Sequence, residues 1–176
     1  MKVKTIFHFF CVMLAVCVLF SACSQTAWVK GTDESVQTYF PEQTTEKLME
    51  KISSVSYQWA LTKEDSNSAD IRLEFDILDG KNSYKAKLNG TLLANELSSG
   101  KVLWEGPLTG EINIAGKSLS VICSFAKLSG NEKIQVSVTF PAISIDGKAL
   151  PRLMSFGDDV ITEEINQEIQ NELNIR

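Results

Sequence analysis

The 176-residue sequence predicts an α+β fold: an antiparallel meander of five or six strands, with one amphipathic helix before it and another after it. Three observations predict this arrangement. Apolar residues recur at helical spacing early in the chain, the period drops to two through its middle, and an i, i+4 isoleucine stripe closes it.

In TTEKLMEKISSVSYQWA, residues Leu48, Met49, Ile52, Val55 and Trp59 fall on one helical face, with Thr44 or Thr45 as the N-cap. In ADIRLEFDIL, Ile71, Leu73, Phe75 and Ile77 alternate with Arg72, Glu74 and Asp76, the mark of a strand with one wet face. The turn Asp79-Gly80-Lys81-Asn82 hands on to Tyr84, Ala86, Leu88, Gly90, Leu92 and Ala94, again alternating. The theme repeats at Leu103 or Trp104, at Ile112 and Ile114, through Leu119, Val121, Cys123 and Phe125, and through Ile134, Val136, Val138 and Phe140. Ser98-Ser99-Gly100, Ala115-Gly116-Lys117 and Ser129-Gly130-Asn131 separate these runs with turn chemistry. Ile161, Ile165, Ile169 and Leu173 then form the closing helical stripe. Asp158 or Asp159 is its N-cap, and Glu163 and Glu164 lie where the N-terminal dipole favours acid.

Ahead of this domain stand Lys2, Lys4 and an uncharged apolar run from Ile6 to Phe20. Fifteen residues are too few for a bilayer core, which needs about 20 as a helix, but they suit the core of a secretory signal peptide. A secretory cleavage site carries small residues at the first and third positions before the cut; here the third before Cys23 is Phe20. The stretch Leu19-Phe20-Ser21-Ala22-Cys23 resembles instead the lipobox of bacterial lipoproteins. That resemblance covers the first 23 residues and implies lipidation of Cys23, with Phe20 departing from the aliphatic residue usual there; the alternative is a secreted chain cut nearby. Several acyl chains at about 0.8 kcal/mol per buried methylene would hold the chain on a membrane. The expected organisation is therefore a signal peptide over 1–22, a lipidated tether over 23–32 and a single α+β domain over 33–176. Ser24 is not the aspartate that retains lipoproteins at the inner membrane of enteric bacteria, so the resemblance implies the periplasm-facing leaflet of the outer membrane. Within the tether, Trp28 and Lys30 suit either the headgroup level or the start of the domain.

Cleavage at Cys23 removes His8, Cys11 and Cys17, leaving 154 residues without histidine and with two cysteines, Cys23 and Cys123. Without Lys2 and Lys4 the 17 basic residues become 15 against 22 acidic ones, a net charge of −7. Nucleic acid is not an expected partner of so acidic a chain, which lacks clustered Lys and Arg. Histidine-dependent serine, cysteine and metal hydrolysis is excluded by composition. Cys123 keeps register with Val121 and Phe125, which makes it a core residue. Gly110 to Ser118 has the look of a phosphate-binding loop, but it is one residue too long and leads into a strand where a phosphate cradle needs a helix N-terminus. Asp79-Gly80 and Asp146-Gly147-Lys148 lack the further oxygen ligands of a calcium loop. Glu74 with Asp76, or Glu163 with Glu164, could pair as glycosidase carboxylates, but each sits where a solvated face predicts charge. No enzyme activity, cofactor or metal is therefore expected.

The helix, meander, helix order, and ISIDGKALPRLMSFGDDVITEEINQEI in particular, resembles the TULIP superfamily of lipid-binding domains over most of 44–176, with Gly147, Leu150, Pro151 and Ile165 matching in kind. The resemblance implies a curved sheet around a long helix and a groove whose lip is Leu150, Leu153, Met154 and Phe156. A closed lipocalin-like barrel and a two-helix α+β sandwich stay open as alternatives, and core capping beneath a loop is the alternative role for those four residues. The expected function is a membrane-anchored, noncatalytic lipoprotein that binds a lipid or other apolar ligand; the rival is an envelope assembly or protein-interaction module.

Overall fold

A computed structural model describes residues 27–42, 46–130 and 132–158, together with Ile161, Glu163, Asn166, Gln167 and Gln170 of the C-terminal segment. Among these the chain forms eleven strands: β1 (Val29–Asp33), β2 (Gln37–Tyr39), β3 (Ile52–Glu64), β4 (Ser68–Asp79), β5 (Asn82–Glu96), β6 (Val102–Ile114), β7 (Lys117–Leu128), β8 (Ile134–Thr139), β9 (Ser144–Ile145), β10 (Lys148–Ala149) and β11 (Leu153–Gly157). Nine of them make one antiparallel sheet in the order β1-β3-β4-β5-β6-β7-β8-β11-β2, curled into a half-barrel. The expected α+β class is overturned: the fold is nearly all β.

The opening helix fails for an identifiable reason. Residues 46–51 are turn and bend apart from Lys47, which bridges Ala149, Met49 takes a positive φ of 64° that no helix continues through, and the rest of the expected helix is β3. Val55 and Trp59 satisfy a period of two as well as they satisfy 3.6, and Tyr57 fills the position between them. With Ser53, Ser54 and Ser56, which favour non-helical backbone, and β-branched or aromatic residues between, strand propensity wins. At the other end, the five described residues of the C-terminal segment have helical conformation but define no helix as an element. Ile165, Ile169 and Leu173 lie outside the described residues.

The alternation read from the sequence becomes an inside and an outside. Ile71, Leu73, Phe75 and Ile77 of β4, Leu88 and Leu92 of β5, Leu108 and Ile112 of β6, and Val121, Cys123 and Phe125 of β7 all point into one buried cluster. Trp59 meets Phe125 edge to face at 6.2 Å, and Phe156 of β11 lies 5.4 Å from Phe75 and 5.7 Å from Tyr57. These contacts between strands far apart in the sheet order measure how tightly it curls. Gly110 helps the bend: a Cβ there would run into the carbonyl of Lys87 on β5, so only glycine permits that strand approach.

The two edges of the sheet are neighbours along the chain. β1 and β2 run in the same direction at opposite edges, yet only residues 34–36 connect them, a reach of at most about 14 Å. Asp33 ties the seam, its Oδ2 accepting from the backbone N–H of Gly157 at 2.7 Å and its Oδ1 from that of Ser35 at 2.7 Å. One pole of the curl is covered by the β9–β10 hairpin, whose Asp146-Gly147 turn has φ of 51° and 80°, as a type I′ turn requires. Ala149 of this hairpin exchanges backbone bonds with Glu46 and Leu48 at 2.9 Å, burying Met49, Ile145 and Leu150. At the opposite pole Leu97, Leu103 and Leu128 form a second apolar cluster on the outer face of the sheet, closed by Ile161.

Candidate functional site

The four residues expected at a groove lip are placed by β11 and the loop before it. Leu150, Met154 and Phe156 are buried in the main core, and Leu153 is half-buried opposite Tyr39 and Thr139. Among the described residues no helix lies inside the curl; strand side chains fill it. Cys23, the expected lipidation site, lies outside the described residues. Trp28, about one third exposed, immediately precedes β1, which takes up residues 29–32 of the expected tether.

The buried groups with chemistry are all on the inside. Cys123 is inaccessible, and burial pushes its thiol up to about 12, so it carries no thiolate at neutral pH. Lys127 projects inward near the end of β7, with its Nζ 5.6 Å from the centre of the Trp59 ring and donating to the Leu128 carbonyl at 3.4 Å. Burial lowers the pKa of its ammonium, against the opposing influence of Glu64 and Glu132. The Gly110–Ser118 stretch is the β6–β7 hairpin, turning at Ala115 and Gly116 with φ of 50° and 75°. Glu74 and Asp76 sit on the outer face of β4, Glu163 is exposed, and Glu164 lies outside the described residues. Among the described residues no three of His, Cys, Asp and Glu come together as a metal site.

The concave surfaces are outside. A cleft of about 390 Å³ crosses β1, β3, β4 and β5, and one of about 510 Å³ continues over β5, β6 and β7. Register explains the lining. Lys30, Gln58, Glu74 and Lys87 are successive partners across β1, β3, β4 and β5, with Glu111 next on β6; Thr32, Ser56, Asp76 and Lys85 make the neighbouring rung. Strand alternation turns every one of these side chains away from the core. Glu74 accepts from Gln58 Nε2 at 2.8 Å and faces Lys87 Nζ at 3.5 Å, while Asp76 accepts from Ser83 Oγ and Glu111 from Ser118 Oγ, both at 2.6 Å. The sequence had shown Glu74 and Asp76 as a wet strand face, Ser56 and Gln58 within an expected helix, and Lys30 and Thr32 within an expected tether. Their convergence needs the pairing register of six strands, which no local pattern carries.

The described residues thus form a curled antiparallel β-sheet with a packed interior and open clefts on its outer face. Comparison with family models, with curated proteins and with solved structures finds no match.

Proposed function

We propose that the chain is a lipid-anchored, noncatalytic lipoprotein of the bacterial envelope whose domain holds a partner on the outer face of its sheet. The observation that carries this reading is the contrast between the two faces. The interior is occupied by the protein's own side chains, Phe75, Phe125, Met154 and Phe156 among them, whereas open concavity and polar groups lie outside. Ligand sites for apolar molecules are concave and apolar-lined; here the apolar side chains on the inner face of the curl pack against one another. The anchor follows from the lipobox at Cys23, and the periplasm-facing leaflet of the outer membrane is its proposed address.

Native mass spectrometry of the full chain carrying Cys23→Ser, purified without detergent, tests the domain reading. A bare polypeptide is expected; a co-purified lipid would overturn it in favour of apolar-ligand binding. The same substitution should move the protein from the membrane to a soluble or unprocessed pool, since the acyl chains supply nearly all the membrane affinity. Retention of processed Cys23→Ser protein after a high-salt wash would remove the anchor.

A further inference from the structure

Lipidation of Cys23, on which this inference rests, would limit how the domain can stand on its membrane. We propose that the end of the curl carrying the turns 64–68, 96–102 and 128–134 is held against the lipid headgroups by the shortness of the tether, with the β9–β10 hairpin end turned away. Strand direction fixes the end from which the tether leaves. β1 is antiparallel to β3 with Val29 opposite Trp59, so the chain enters β1 from the side on which β3 runs on to Glu64. The three turns gather at that same end, since Glu64 pairs with Ala69, Ser68 with Leu93, Leu103 with Leu128 and Lys127 with Ile134.

Chain length selects the lipid surface as what this end meets. Cys23 lies six positions before Val29, a reach of at most about 22 Å. An acylated cysteine sits at the base of the headgroup layer, which takes up about 6 Å of that reach and leaves roughly 16 Å. Beyond Trp59, β3 continues to Glu64, about 17 Å along the strand and about 13 Å along the curl axis at a strand tilt near 40°. The turn after Glu64, with its side chains, fills the few Å that remain. No length is left to lift this end clear of the headgroups. The 15 residues of β5 span about 39 Å along the same axis, so the hairpin end stands on the order of 40 Å from the lipid.

The turns themselves supply no adhesion. They expose Ser66, Asn67, Ser98, Ser99 and Ser129 and no large apolar side chain among the described residues, so nothing there inserts into hydrocarbon. Their exposed charges are Glu64, Asp65, Glu96 and Glu132 against Lys101 and Lys133, a surplus of acid that an anionic leaflet does not attract. Contact is therefore enforced by the tether alone. The clefts over β1 and β3 to β7 lie on the flank of the curl and stay open to a partner in this orientation.

Fluorophores on Ser66→Cys in the near turns, Ser56→Cys on the flank and Lys148→Cys in the hairpin test the orientation, using the full lipidated protein in phosphatidylcholine vesicles that carry a headgroup-attached nitroxide quencher. Cys123 is buried and takes no label. Quenching should be strongest at Ser66 and absent at Lys148. Inserting about twelve Gly and Ser residues after Ser24, with an r.m.s. span of about 19 Å, should remove most of the quenching at Ser66. The Cys23→Ser chain labelled at Ser66→Cys and added to the same vesicles should show none, because the turns do not adhere. Quenching at Lys148 or Ser56 as strong as at Ser66, a Ser66 signal indifferent to the insertion, or quenching of the unlipidated chain would each overturn the orientation and leave the anchor standing. A parent chain that fails to float with the vesicles would remove the anchor itself, and the orientation with it.

Discussion

The inner and outer faces of β4 are made from alternate residues of one strand, and they solve opposite problems. Inward, Ile71, Leu73, Phe75 and Ile77 are almost wholly excluded from water and touch strands from across the curl. Outward, Asp70, Glu74 and Asp76 each find a hydrogen-bonding neighbour on an adjacent strand, Thr91, Gln58 and Ser83 respectively, and stay partly in solvent. A backbone whose ladder hydrogen bonds are fixed thus leaves the two faces free to vary separately. Stability is concentrated on one and surface chemistry on the other.

Four measurements break or sharpen that division. The largest effect is expected at Phe125, buried beside Trp59: Phe125→Ala should cost about 4 kcal/mol by denaturant unfolding. A loss below about 1 kcal/mol would mean that the interior is not close-packed. Next comes the seam. Asp33→Ala removes the acceptor of two backbone N–H groups and should cost about 2 kcal/mol, with faster amide hydrogen exchange at Ser35 and Gly157. If exchange at Gly157 stays unchanged, the seam is held by something else.

A smaller effect appears with alkali. The folded-state pKa of Cys123 lies above its ordinary value of 9.0, so the folded state favours the protonated thiol. Its contribution is fully present below pH 9 and is lost as the pH rises toward 12, amounting to about 1 kcal/mol by pH 10. Unfolding curves of the parent and of Cys123→Ala should therefore converge on that scale between pH 8 and pH 10, and parallel curves would show that the thiol titrates normally. The smallest effect belongs to the outer face. Glu74→Gln weakens an exposed cross-strand pair with Lys87 and should change stability by no more than about 0.5 kcal/mol. A loss above 1 kcal/mol would make the outer rungs structural and blur the distinction between the faces.

Much of the sheet was legible in the sequence because its signal is local. Ile71 to Ile77, Tyr84 to Ala94 and Leu119 to Phe125 alternate strictly, and each lies in a strand with those residues inside. β3 was misread because Leu48, Met49 and Ile52 extend a helical spacing that the strand does not use: Met49 is buried from a loop by the β9–β10 hairpin. β1 and β2 are five and three residues long, too short for any period to register. Leu150, Met154 and Phe156 drew notice as an apolar group near a proline, and core burial explains that character fully. The outer cleft was illegible for a different reason. Lys30 and Lys85 are 55 positions apart, and only the pairing of β1 with β3, β3 with β4 and β4 with β5 brings them to one surface.

The tie between Asp33 and Gly157 also sets a timetable. The two residues are 124 positions apart, so the first strand of the domain to leave the ribosome waits for the last before the seam can close. Until β11 arrives, β8 and β2 have open edges, and unpaired edges invite pairing with other chains. Nearly all the strand contacts before that point are hairpins between neighbours, which form quickly, whereas closure must meet the loop-closure entropy of the whole domain at once. Folding should accordingly split into fast growth of the β3 to β8 meander and a slow final docking, with the intermediate as the species most prone to aggregate.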